Sequence, residues 1–479
     1  MDKRHVGRDA MILTSSKVLA NVFSMISAML LARVRTLSEN GTYAQLTIII
    51  TLASSVIMLG LPNSINYFLA KQNTIEEKRK FLSVFYTAAT ILSVVMGIVL
   101  TIMIPFWKGY FDNPEIENFA FFLLIFPWTQ VISSTVENVL IVLGKIESLI
   151  LYRISNSAVL VLIILIVWLV GADFRTYMIA YVAFSGVYAL LVYILVNGYI
   201  GGLKAILDAP LLKSIFAFSL PLGLASIVGT LNIELDKLMI GHFFTTDQMA
   251  IYANASKEMP VTIIATSITA VLMPQMVRLF GEKRNKDAVE LWKSATIISM
   301  AIISFLSIGL AFFSREAMIV LYSEKYASGW PIFCVYSLGL ILKVTYFGMV
   351  LNTTGHTKKI LYSSIGALIL NFIFNFAFYY MFGWVGPAIG TVLANICMNV
   401  YQLIHSSKVI SIEFIDIFPW KESAGLIILN VIMGIGFKVL HYKVFPGVWS
   451  AIALAFVWGL VYFFIVGRTI LKHWRIINT

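Results

Sequence analysis

The stretch SIFAFSLPLGLASIVGTLNIELDKLMIG, residues 214–241, decides the fold class. It is long and apolar enough to cross a bilayer as a single helix. Yet Glu234, Asp236 and Lys237 crowd together toward its end. Charge at membrane depth is costly and is retained for a partner, a wet cavity or a function. At 100° per residue, Glu234 and Lys237 stand about 60° apart on a helix and can pair side by side. Asp236 points about 160° away from Glu234, onto a face shared with Asn232 and Gly229. It reads either as a carboxylate lining a cavity, with Lys257 or a first-helix cation opposite, or as half of a structural ion pair to a neighbouring helix.

The rest of the chain repeats this character. Of 479 residues, 59% are hydrophobic and only 12% charged, with a mean hydropathy of +0.88. A soluble domain carries about twice that share of charge. Apolar runs of about 20 residues recur from end to end, so the chain reads as an all-α polytopic membrane protein of about fourteen spans. The runs are continuous rather than alternating, which excludes a β-barrel. The basic segment MDKRHVGRD leads into an apolar run over 11–34, too long for a signal sequence and read as the first span. Later spans are expected at 42–69, 247–277, 331–351, 422–440 and 448–467, among others. Cys334 and Cys397 read as packing residues rather than a disulfide, and the six histidines show no metal-ligand spacing.

With the N-terminus inside, the inner segments hold about 23 Lys and Arg and the outer segments about 8, which predicts both termini in the cytoplasm. The net charge of +11 then records inner loops and anionic lipids rather than nucleic acid. The chain also repeats itself. Tyr43-Ala44 returns as Tyr252-Ala253, Pro62 as Pro274, Gly144 as Gly355 and Leu151-Tyr152 as Leu361-Tyr362, at offsets of 209–212. This predicts two six-helix lobes, 1–205 and 206–410, related by a pseudo-two-fold along the membrane normal, plus a helix pair in 411–479.

Several further polar residues lie at membrane depth. Thr14, Lys17, Asn21, Ser24 and Ala28 share one face of the first helix, and Arg35 returns to that face. Lys17 either lines a cavity or snorkels to the inner surface. Lys257 is about 15 Å into its span, near mid-membrane, where snorkelling does not reach. Glu258, Asp236 or a bound anion would serve it. Lys343 and Glu137 are also deep. They come from corresponding helices of the two halves, and they read either as a cross-lobe pair or as substrate contacts. No phosphate-binding GxxxxGK[ST] loop occurs, and no nucleophile–base set stands out on the short loops. A secondary transporter fits better than a membrane glycosyltransferase or polymerase. The excess of deep cations points to an anionic or phosphate-bearing substrate. No cofactor is expected. Coupling to H⁺, Na⁺ or the membrane potential stays open.

Four stretches resemble one known family. LLARVRTLSENGTYAQLTIII (30–50) resembles the first loop of polysaccharide flippases. FSLPLGLASIVGTLNIELDKLMIGHFFTTDQMAIYANASK (218–257) is similar to their seventh and eighth helices. LYSEKYASGWPIF (321–333) and GHTKKILYSSIGALILNFIFNFAFYYMFGWVGPAIGTVLAN (355–395) resemble later segments. The family is the polysaccharide-transporter branch of the multidrug/oligosaccharidyl-lipid/polysaccharide (MOP) exporter superfamily. The resemblance implies a flippase carrying an undecaprenyl-diphosphate-linked oligosaccharide from the inner to the outer leaflet. It further implies alternating access through a cationic central cavity, and glycosyltransferases and a polymerase of the same pathway as partners of a monomer. Arg33 matches the arginine of the family's LAR pattern, and Glu258-Met259-Pro260 resembles a Glu-x-Pro of the lipid II flippase branch. A lipid II-type flippase and a cation-coupled drug or metabolite antiporter of the superfamily are the alternatives. The expected substrate contacts are Lys17, Asn21, Arg33, Arg35, Asn232, Asp236, Lys257, Glu258 and Lys343.

Overall fold

The computed structural model describes residues 3–257 and 259–478, which are predominantly helical, with no strand among them. The chain forms two compact units, Met1–Ala250 and Ile251–Thr479. In the first, α1 (Lys3–Val34), α2 (Leu37–Met58) and α3 (Leu61–Phe68) are followed by α4 (Ile75–Ile102), α5 (Ile104–Phe111) and α6 (Ala120–Val142). Then come α7 (Ile146–Leu169), α8 (Phe174–Ile200) and α9 (Ala209–Phe243). α10 (Thr246–Ala255) crosses from the first unit into the second. The second continues with α11 (Ile263–Gly281), α12 (Asn285–Phe312), α13 (Ser314–Leu321), α14 (Trp330–Gly339) and α15 (Met349–Thr353). It ends with α16 (Thr357–Phe382), α17 (Gly386–Ile410), α18 (Phe414–Ile417), α19 (Trp420–Lys443) and α20 (Val448–Asn478).

Local chemistry sets many of these boundaries. Thr36 and Glu39 form a reciprocal capping box at the start of α2, and Thr74 and Glu77 do so at α4. Asp173 and Asp208 accept from backbone N–H groups in the first turns of α8 and α9. Lys80 sits 2.8 Å from Asp208. That hydrogen bond, with the one from Leu211 N, holds the Asp208 carboxyl below its ordinary range. Gly60 closes the α2–α3 turn at φ +73°, a conformation that disfavours any side chain. Inside the unit, α4 and α6 approach so closely at Gly97 that a Cβ there would lie 2.0 Å from Leu124 O.

The repeat is written into the element boundaries. α4 and α12 begin 210 positions apart, as do α5 and α13, and α6 and α14. The 3-10 turns Pro114–Phe119 and Glu324–Gly329 keep the same offset. In the first unit α9 packs on α2 and α3. In the second, α12 is the central helix, its side enclosed by α11, α14, α19 and α20 around Trp292, Met300, Trp458 and Tyr462.

Twelve stretches of the described residues are long and apolar enough to cross a membrane, and one of them, Thr357–Ile410, holds both α16 and α17. The span expected over 331–351 is not among these stretches, because α14 and α15 are joined there by irregular chain. Separating the first pair and adding this interrupted segment accounts for the fourteen expected crossings. Outward apolar residues such as Phe464, Tyr380 and Trp449 are almost fully exposed, as lipid-facing and interfacial positions are. The chain is a multi-pass membrane protein.

Candidate functional site

The charged stretch of α9 sorts as helical geometry requires. Lys237 Nζ lies 2.8 Å from Glu234 Oε2, and both side chains are largely enclosed. Asp236 turns the other way and is only 1% exposed. Its Oδ1 accepts from the backbone N–H of Lys237 at 2.7 Å. Along its face, enclosure increases from exposed Gly229 through half-buried Asn232 to buried Asp236.

On α1 the polar stripe is open. Thr14, Lys17, Asn21 and Ser24 are all exposed, and so is Arg33 in the last turn. A stripe that only packs helices together would be buried, and this one is not. Arg35 departs from the expected common face because α1 ends at Val34. It is half-buried and its Nη1 donates to Ala172 O at 2.9 Å, between α7 and α8.

The eighth span, expected to be continuous over 247–277, is interrupted. α10 stops at Ala255, a 3-10 turn covers Pro260–Thr262, and α11 begins at Ile263. Pro260 disfavours a continuous helix here. It lacks an N–H, and it drives the preceding residue out of the helical region. Met259 accordingly sits at φ −75°, ψ 141°. Lys257 lies in this break with an exposed side chain. Glu258 lies outside the described residues.

Lys343 occupies a parallel position. It ends the 3-10 turn Leu340–Lys343 that follows α14, and it is exposed. Side chains that periodicity did not single out bond to this stretch, one to its backbone and one to a side chain. Asn399 Nδ2 donates to Leu342 O at 3.1 Å, and Trp292 Nε1 to Thr345 Oγ1 at 2.8 Å. Non-helical backbone at membrane depth persists only where such partners satisfy it. Both interruptions pack against α12. Asp236 excepted, the cations and amides expected at the site are therefore exposed or half-buried rather than locked into a core.

Two clusters escaped the sequence reading. Arg153 of α7 is bound to Glu137 Oε2 at 2.9 Å and to Ser16 Oγ of α1 at 2.9 Å. Glu137 is thus engaged by its own unit, which corrects the expectation that it answers Lys343. Arg153 lies about 10 Å into its span, the depth at which Lys17 drew attention, and the same argument applied to it would have found it. In the second unit Glu316 of α13 holds Lys438 at 2.8 Å and His441 Nε2 at 3.2 Å, both on α19. Burial opposes the charge on Glu316. The hydrogen bond from Lys438 and the His441 ring outweigh it and hold the carboxyl below its ordinary value. Among the described residues no group of acidic, histidine and cysteine side chains could hold a metal ion.

Comparison with known proteins agrees with this architecture. A family profile described as polysaccharide biosynthesis protein matches residues 30–331. The capsular polysaccharide biosynthesis protein CapF of Staphylococcus aureus is 24% identical over 147 residues, 30% of this chain. That match spans only 37% of CapF. Among solved structures, the lipid II flippase MurJ in an inward closed conformation superposes with a TM-score of 0.70 at 14% identity, over 96% of this chain and 100% of that one. An outward-facing multidrug resistance MATE family transporter of the MOP superfamily superposes with a TM-score of 0.58 at 16% identity, over 85% of this chain and 95% of that one.

Proposed function

The chain belongs to the polysaccharide biosynthesis protein family, and on that premise we propose that it is a flippase for a lipid-linked oligosaccharide. The substrate is a repeat unit carried on undecaprenyl diphosphate, moved from the inner to the outer leaflet of the cytoplasmic membrane, with both termini of the protein cytoplasmic. The observation that carries this reading is the exposure of Lys17, Arg33, Lys257 and Lys343 in membrane-spanning segments. A cation at that depth calls for a partner, water or an anion. A diphosphate supplies the anion, and a charged head group needs such a wet, cationic path to cross hydrocarbon.

In this mechanism the lobes 1–205 and 206–410 alternate access around the head group. Lys17, Lys257 and Arg33 contact the diphosphate. Asp236 and Glu258 hold the lysines or exchange H⁺ or Na⁺ during the cycle. The prenyl chain remains in lipid or along α19 and α20. The protein acts as a monomer supplied by glycosyltransferases and served by a polymerase.

Reconstitution into vesicles with a labelled undecaprenyl-diphosphate-linked oligosaccharide tests the proposal. The wild-type chain moves the label to the opposite leaflet, and Lys17→Ala and Lys257→Ala slow it. Wild-type rates in both variants rule out the cationic path. Movement of lipid II but of no polysaccharide precursor would transfer the chain to the lipid II reading.

A further inference from the structure

A partly open pocket of about 230 Å³ lies wholly within the first unit, between α2, α3, α6 and α9. Thr51, Ser54 and Ser55 of α2, Gln130 of α6, and Ser226 and Thr230 of α9 line it. Met58 and the Gly60–Pro62 turn supply an apolar wall. Thr51 is fourteen residues into α2 and Gln130 ten into α6, so the cavity sits roughly 15–20 Å along these helices, at mid-membrane depth.

Its polar groups are not spent on packing. Hydroxyls inside helices ordinarily turn back to the carbonyl of the preceding turn, as Thr47, Thr87 and Thr90 do here. Thr51, Ser226 and Thr230 make no such bond among the described residues. Ser54 Oγ donates to Gln130 Oε1 at 3.5 Å, which orients the Gln130 amide and leaves its NH₂ as a donor. Ser55 Oγ donates to Leu52 O at 2.7 Å and keeps its lone pairs as acceptors.

The lining carries no ionisable side chain. A hard cation calls for carboxylates, and a phosphate for Arg, Lys or a helix N-terminus. A purely apolar ligand would bury these hydroxyls without partners. What fits is a neutral ring that both donates and accepts around its edge and offers a C–H face to Met58 and Pro62. The volume equals that of about seven or eight waters, room for one such ring. We infer that this cavity binds one uncharged sugar ring of the transported glycan, apart from the cations that hold the diphosphate. The inference rests on the flippase reading and adds a sugar subsite to it.

The test measures binding to purified protein in lipid nanodiscs with three probes. These are undecaprenyl diphosphate alone, its hexose-linked form and its N-acetylhexosamine-linked form. The variants are Thr51→Val/Ser226→Ala/Thr230→Val, which removes three hydroxyls at nearly constant shape, and Thr230→Phe, which fills the space. Both are first matched to wild type in thermal stability. If the subsite is real, both variants lose about tenfold or more in affinity for a sugar-linked probe and bind the sugar-free lipid as wild type does. Unchanged affinity for both sugar-linked probes, or an equal loss for all three, overturns the subsite and leaves the flippase reading standing. Failure of the wild-type protein to bind any of the three overturns both.

Discussion

α6 and the α14–α15 segment begin 210 positions apart in the repeat, yet one is a continuous helix and the other is broken. The same contrast separates α2 from α10 and α11. Where the second unit carries Lys257 and Lys343 in its breaks, the positions 210 earlier carry Thr47 and Ser133 on intact helices. The first unit carries neutral hydroxyls, the Arg153–Glu137 and Lys237–Glu234 pairs, buried Asp236 and exposed Lys17. In the second, Lys257 and Lys343 sit in breaks of the helical backbone with exposed side chains. The same repeat therefore keeps its helices intact at these positions in the first unit and breaks them at a lysine in the second.

The comparison breaks most visibly at the lysines. Removing Lys257 or Lys343 by alanine should slow transport about 10- to 100-fold, the equivalent of one charge-assisted hydrogen bond, with little change in melting temperature. A large stability loss with unchanged transport per folded molecule would instead make them structural. Arg153→Ala should behave in the opposite way. It should cost about 1–2 kcal/mol, since Glu137 is nearly half exposed and such pairs are worth less at a wet edge. Thermal unfolding in detergent reads the loss, and transport by the surviving folded protein should stay near wild type.

Pro260→Ala sharpens the cause of the break. If the missing N–H interrupts the eighth span, amide exchange over 256–263 should slow several-fold in the variant. Unchanged exchange would assign the break to packing against α12. The smallest effect concerns pH. The Glu316 carboxyl is held below its ordinary value, so its bonds to Lys438 and His441 stabilise the fold above that range. That contribution is lost as pH falls through the lowered value. The melting-temperature difference between wild type and Glu316→Gln should thus be present at neutral pH and close below about pH 4.

Much of this organisation was legible beforehand. Apolar runs marked the spans, and a 60° offset put Lys237 beside Glu234, where a 2.8 Å contact stands. The repeat offset read from scattered residues recurs in helix boundaries. Less legible were the interruptions. Pro260 is a local signal and was on view, but Pro127 stands inside α6 without breaking it. Nothing local distinguishes the two, because the outcome depends on which neighbouring groups take up the freed backbone.

The amino-acid sequence by itself determined that this chain is a many-spanned helical membrane protein, that it repeats, and which charges lie deep. Those properties follow from the cost of placing polar groups in hydrocarbon, which acts residue by residue. Only the tertiary structure decided which deep charges are consumed. Arg153 meets Glu137 and Ser16 because α7 lies along α1 and α6. Asn399 donates to Leu342 O, and Trp292 to the Thr345 hydroxyl, because α17 and α12 pass beside this stretch. Both depend on side chains far apart in sequence arriving within hydrogen-bond reach, and no periodicity encodes that.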